Sequence, residues 1–241
     1  MDGFSNILEL KEEHNKVQFI YENADDAASS LADSLTAALD KHSRVLWLVP
    51  GGSNIAIAVN VMRAIPEALT AKLHIMLTDE RYGEVDHADS NFRQLREAGF
   101  DTKQAVFIPT LQSGLSIEAT VPAFSEVFER ESGQAGFVIA QFGIGADGHI
   151  AGILPRSPAT ASQNLCVGYH TDQFDRLTLT FTALKRVDTA YACVYGDSKK
   201  PTLLQLQSTE TPLAEQPCQI LRHIPEVYVY NDCIAGEAIT T

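Results

Sequence analysis

The chain has 241 residues, enough to bury a large core as one α/β domain or as two small ones. Hydrophobic residues at 45% and charged residues at 20% describe an ordinary globular protein. The 18 Lys and Arg against 31 Asp and Glu give a formal net charge of -13, which argues against nucleic acid and anionic lipid surfaces as partners.

The opening stretch MDGFSNILELKEEHNK has no basic region followed by an apolar one, so neither a signal peptide nor a membrane span is expected. VQFIY (17–21) reads as a first strand. Residues 24–41 then place Ala27, Leu31, Leu35, Ala38 and Leu39 at helical spacing. The strand-like run RVLWLVP (44–50) leads into PGGSN (50–54), and Ile55, Val59, Met62 and Ile65 continue as a helix. Gly51 and Gly52 permit a tight turn there, and Ser53 with Asn54 can cap the helix. The free N–H groups of that helix start would attract an anion, although a routine capped turn shows the same pattern.

LHIMLT (73–78) is the next strand, and DERYGEVDHADSNFRQL (79–95) follows it. Three charged residues, Asp79 and Arg81 among them, fall directly at its end. Asp89 or Ser90 is placed to cap a helix that opens at Asn91. AVFIP (105–109), a helix through Val121, Phe124 and Phe128, and FVIAQFG (137–143) continue the alternation. FVIAQFG runs into GADGHIAGILP, where His149 could act as a general base and Asp147 could orient its ring. The Asp-x-His spacing does not by itself guarantee that hydrogen bond, and a structural histidine in a glycine turn reads the same way.

Residues 153–175 are the least regular part of the chain and are expected to form a long loop or small excursion beside the site. Arg176 precedes LTLTFTAL (177–184), Lys199 lies in GDSK after TAYACVYG (189–196), and EVYVYND (226–232) is a last strand. Cys166, Cys193, Cys218 and Cys233 are scattered without metal-ligand spacing, as expected of reduced thiols in a cytoplasmic protein. Strands alternating with helices predict an α/β fold: a doubly wound, mostly parallel sheet with helices on both faces, built as a single domain over 1–241. Ligands of such sheets bind beyond the carboxyl ends of the strands. Arg176 and Lys199 beside a helix start would make a phosphate clamp there, pointing to a phosphorylated small molecule.

The ordered set GGS, DER followed by HADSN, GIGADGHIA, Arg before LTLT, and GDSK resembles the 6-phosphogluconolactonase family. That family shares a superfamily with glucosamine-6-phosphate deaminase. The closing LRHIPEVYVYNDCIAGEA resembles its final strand and helix, so the similarity runs from about residue 20 to near the end. The resemblance implies a Rossmann-related fold and hydrolysis of 6-phospho-D-glucono-1,5-lactone to 6-phosphogluconate without metal or organic cofactor. By the same resemblance Ser53, the turn at Gly51 and Gly52, Arg176 and Lys199 would hold the phosphate, and Asn54 is a further substrate-binding candidate. Asp79 and Arg81 would line the sugar pocket beside Asn91. His149, with Asp147, would activate water at C1, and backbone N–H groups of the glycine loop or Arg81 would serve the oxyanion.

Arg81 and Leu154 stand where the deaminase resembles Tyr and Glu, which favours the lactonase. Asn54, Gly152 and Arg156 depart from the GGST and GHTAS–LFPG patterns that lactonases resemble. Asn54 would still cap its helix, and Arg156 would add a cation. A deaminase or isomerase, a non-catalytic sugar-phosphate sensor, and an enzyme for a different sugar lactone are the other readings. No leftover apolar stripe indicates an oligomeric state.

Overall fold

The computed structural model describes residues 16–235 and 239–240. In chain order the elements are β1 (Lys16–Tyr21), α1 (Ala24–Lys41), β2 (Val45–Val49), α2 (Ile55–Ala64), α3 (Glu67–Thr70), β3 (Leu73–Leu77), β4 (Asp79–Arg81), α4 (Asn91–Glu97) and β5 (Val106–Phe107). They continue with α5 (Ile117–Gln134), β6 (Phe137–Phe142), β7 (Cys166–His170), β8 (Asp175–Leu179), α6 (Phe181–Leu184), β9 (Thr189–Val194), α7 (Lys200–Ser208), β10 (Glu226–Asn231) and β11 (Ile239–Thr240).

The main sheet has the order β11-β1-β10-β9-β6-β2-β3-β5. Every pairing in it is parallel except that of β11 with β1. β2, reading VLWLV, is buried along its whole length, which is why its sequence does not alternate. Its side chains instead feed two cores. Val45, Trp47 and Val49 pack under α1 and α2, while Leu46 and Leu48 join the core that includes Phe124 and Phe128 of α5 and Leu203 and Leu206 of α7. Helices therefore cover both faces, as the alternation predicts.

From β2 the chain runs outward through β3 to β5, then crosses back to β6 and proceeds the other way through β9. The reversal point lies between β2 and β6, which are neighbours in the sheet. Crevices form at such points because adjacent connections leave in opposite directions. The turn after β2 is PGGSN, and the turn after β6 is GIGADGH.

A second sheet, β4-β8-β7, is antiparallel and small. It corrects two expectations. The expected strand over 177–184 ends at Leu179 in this second sheet, and Phe181–Leu184 is a short helix. The segment 153–175, expected as a long loop or small excursion, is not a plain loop but contains β7, which forms a hairpin with β8. Two residues, Asp172 and Gln173, span the hairpin tip, closed by Thr171 N–H donating to Phe174 O at 2.9 Å. The final helix implied by the resemblance is not seen over 232–235, and residues 236–238 lie outside the described residues. The opening stretch lies outside them as well. No helix among the described residues is long and apolar enough to cross a membrane. The four cysteines are free, and burial pushes the Cys166, Cys193 and Cys218 thiols up to about 12.

Candidate active site

A cleft of about 240 Å3 opens at the reversal point. Gly51, Gly52, Ser53, Asn54, Asp79, Arg81, Asn91, His149, Arg176 and Lys199 all line it, drawn from β4, β8 and the ends of four parallel strands or their following turns. Asp147 sits immediately behind His149. The structure thus brings together every residue expected at the site.

The His149 end is built on a tight loop. Gly145 N–H donates to His149 O at 2.9 Å and Gly148 N–H to Gly145 O at 3.0 Å. Gly148 takes a φ of 84°, the left-handed region that suits glycine. Gly145 is needed for space: a Cβ there would lie 2.0 Å from His149 Nδ1 and 2.4 Å from Asp147 Oδ1. From outside, Cys218 N–H donates to Gly148 O, and Thr202 Oγ1 donates to Ala146 O at 2.6 Å.

Within this loop His149 Nδ1 lies 2.6 Å from Asp147 Oδ1. The hydrogen bond to His149 holds the Asp147 carboxyl down at about 2, against an ordinary 3.8. An ionised carboxylate can only accept, so Nδ1 carries the proton and the imidazole in its neutral form presents an unprotonated Nε2. The N–H groups of Gly145, Gly148 and His149 are all engaged inside the loop. These three backbone groups are thereby taken within the loop, and Arg81, the other oxyanion donor expected, lines the same cleft.

Another wall of the cleft is carried by the small sheet. Side chains alternate across a strand, so Arg81 and Asp79 of β4 share a face with Arg176 and Thr178 of β8. Register places Arg81 directly opposite Arg176 and Asp79 opposite Thr178. Arg81 Nη1 donates to Asp89 O at 3.0 Å, but Nε of Arg81 and Nε of Arg176 are buried without a partner. Among the described residues no carboxylate forms an ion pair with Arg81, Arg176 or Lys199. Three unpaired cations in one cleft of a chain with net charge -13 make a local anion site.

The PGGSN turn corrects the capping expectation. Neither Ser53 nor Asn54 caps the helix with its side chain. Asn54 is buried, and its Nδ2 donates to Cys193 O at 3.2 Å. Gln141 Nε2 donates to Asn54 O at 3.1 Å, so this residue fastens the turn to β6 and β9. Gly51 permits close approach: a Cβ there would lie 2.0 Å from Asn91 Oδ1. Asn91 in turn donates Nδ2 to Asp79 O at 2.9 Å, and Ser90 caps α4 as expected.

Three contributors were not foreseen. Glu80 is buried and accepts from Ser90 Oγ and from the N–H groups of Arg81, Asn91 and Phe92. It thereby binds β4 to the start of α4; burial raises its pKa against those four hydrogen bonds. Phe174 and Gln173 reach the cleft from the hairpin tip. The only sequence signal for them is an aromatic residue two places before Arg176 in an otherwise polar run.

The family model for glucosamine-6-phosphate isomerases/6-phosphogluconolactonase matches residues 21–229. The chain belongs to this family. It is 30% identical over 175 residues to a 6-phosphogluconolactonase of Synechocystis sp., covering 69% of this chain and 73% of that relative. It is 31% identical over 194 residues to a Caulobacter vibrioides 6-phosphogluconolactonase, covering 74% and 81%. A crystal structure of a 6-phosphogluconolactonase from Shewanella baltica has a TM-score of 0.77 at 22% identity, covering 89% of this chain and 97% of that one, and bears on the fold.

Two of the chain's departures from the lactonase pattern now have a structural reading. A Cβ on Gly152 would lie 2.8 Å from Thr178 Cβ and 3.0 Å from Asp79 Cβ, so the missing serine matches a closely packed neighbour. Gly152 N–H donates to Thr178 Oγ1, and its carbonyl accepts from Tyr169. Arg156 does not add a cation to the cleft: it is exposed, and its guanidinium lies 3.8 Å from Glu215. Leu154 does not line the cleft either, and Asp79 is the only carboxylate among the described residues that does.

Proposed function

We propose that the chain hydrolyses 6-phospho-D-glucono-1,5-lactone to 6-phosphogluconate, with His149 as general base. The observation that carries this reading is the His149–Asp147 hydrogen bond beside a cleft that also holds three cations without a carboxylate partner among the described residues. A family member acting on a phosphorylated sugar needs an anion grip, and a lactone needs a base but no electrophilic cofactor.

In the proposed reaction Ser53, the Gly51–Gly52 turn, Arg176 and Lys199 hold the phosphate, and Asp79 and Asn91 border the sugar. Nε2 of His149 takes a proton from water as the water oxygen attacks C1. Arg81 stabilises the oxyanion as the carbonyl becomes tetrahedral. The imidazolium, facing the Asp147 carboxylate, then returns the proton to the ring oxygen as the C1–O bond breaks. Positioning by the phosphate grip supplies the remaining acceleration.

Leu154 and Arg81, where a deaminase would offer Glu and Tyr, weigh against ring opening of an amino sugar. The test is to follow the lactone and glucosamine 6-phosphate in parallel. Acid production from the lactone above its spontaneous rate, with no ammonia from the amino sugar, is the expected result. The reverse outcome would overturn the assignment.

A further inference from the structure

We infer that Phe174 is a positioning residue that holds the Arg81 and Arg176 guanidinium groups in the cleft as a pair; this rests on the phosphorylated-lactone reading above. The register of β4 and β8 sets two like charges directly opposite each other, an arrangement that is unfavourable in a sheet. Among the described residues no carboxylate forms an ion pair with either arginine. The Phe174 ring relieves the repulsion instead: Arg81 Cζ lies 5.0 Å from the ring centroid and Arg176 Cζ 5.9 Å. Both distances fall within the range where the negative face of an aromatic ring attracts a cation.

Phe174 is fixed for that task. Its carbonyl accepts from Thr171 N–H at 2.9 Å and from Thr171 Oγ1 at 2.7 Å, and its own N–H donates to Thr171 Oγ1 at 3.1 Å. Three hydrogen bonds across a two-residue tip fix the backbone from which the ring projects toward the two guanidiniums. Phe174 immediately precedes β8, two residues before Arg176, and its ring meets that arginine's guanidinium. The ring organises two flexible side chains before the ligand arrives, so less freedom is lost on binding.

The two guanidiniums serve different moments of the proposed reaction, Arg176 gripping the phosphate and Arg81 meeting the oxyanion. Loosening both through one ring therefore affects binding and turnover together. That is unlike the loss of either arginine alone.

The deciding comparison is wild type against Phe174→Leu and Phe174→Tyr. Leu keeps apolar bulk without a π-face; Tyr keeps the π-face. For Leu, kcat/KM on the phosphorylated lactone is expected to fall about tenfold, split between KM and kcat, and inorganic phosphate to inhibit about fivefold more weakly. For Tyr, both quantities should return to within twofold of wild type. A Leu variant within twofold of wild type, or a Tyr variant as impaired as Leu at an unchanged melting temperature, would overturn the inference. If wild type fails to hydrolyse the lactone, the proposed function fails by itself. Phosphate binding to the same three proteins, measured by calorimetry, then decides the role of Phe174.

Discussion

The two ends of the cleft are finished to different degrees. At the His149 end the loop closes on itself, braces against α7 and residues 216–218, and gives the imidazole a carboxylate partner 2.6 Å away. At the arginine end two guanidiniums face each other across a sheet with buried, unpartnered Nε atoms. One end satisfies its polar groups internally and the other leaves them for a ligand. A base that acts on every turnover gains from a fixed tautomer and orientation. A binding end gains from charge that only the bound anion can complete, because buried donors left unpaired favour whatever pairs them.

This contrast can be broken first at Gly145. Gly145→Ala would push a methyl group into the His149–Asp147 hydrogen bond, and kcat is expected to fall about 100-fold or more with KM little changed. Steady-state kinetics checks this. A far-ultraviolet spectrum like that of wild type confirms that the fold survives.

Arg176→Ala probes the opposite end. Losing one charge-assisted contact to the phosphate should raise KM roughly 10- to 100-fold while kcat changes less. An unphosphorylated sugar lactone should be hydrolysed by this variant as slowly as by wild type. Equal losses on both lactones would merge the two ends into one and contradict the division.

A smaller effect is expected from Asp147→Asn, since the side chain is 52% exposed and water can partly replace it. A fall in kcat of about tenfold would reflect poorer control of the imidazole tautomer. The weakest effect concerns acid stability. The Asp147 carboxyl titrates near 3.8 when unfolded and at about 2 when folded, so its contribution is complete above about pH 4 and disappears as pH falls through 2. Solvent screens this half-exposed pair, so the increment is small. Urea unfolding between pH 2 and 5 should show it in wild type and not in Asp147→Asn.

The sequence displays the main sheet far better than the small one. Strands buried on both faces, such as β2 and β9, are dominated by apolar residues, and runs like VLWLV and TAYACV cannot be mistaken for loops. In the strand DER, Asp79 and Arg81 line the cleft and Glu80 is held in buried hydrogen bonds at the start of α4, so its composition is that of a solvated turn. β7 is hidden for a related reason: its burial is mixed and Gly168 interrupts it. Charged residues at β4 and mixed burial at β7 overwrite the pattern that would mark them as strands.

Within the site, residues that carry charge were legible and those that carry them were not. Arg81, Arg176, Asp147 and His149 stand out by type and by their place after strands. Phe174 and Glu80 act through other side chains, and nothing local distinguishes a ring shared by two arginines from any surface aromatic. Asn54 shows the converse error. Its place before a helix suggested a cap, whereas burial under Gly143 turned its amide toward Cys193.

The central claim is that His149 is the base that drives lactone opening. Freshly generated 6-phosphogluconolactone, coupled to 6-phosphogluconate dehydrogenase at short times near neutral pH, tests it in wild type and His149→Ala. A wild-type rate well above spontaneous hydrolysis, with the variant reduced about 100- to 10,000-fold toward that background, is the predicted result. A His149→Ala variant that keeps most of the wild-type rate would contradict it, and the Asp-Gly-His turn would then be a structural loop beside a phosphate site.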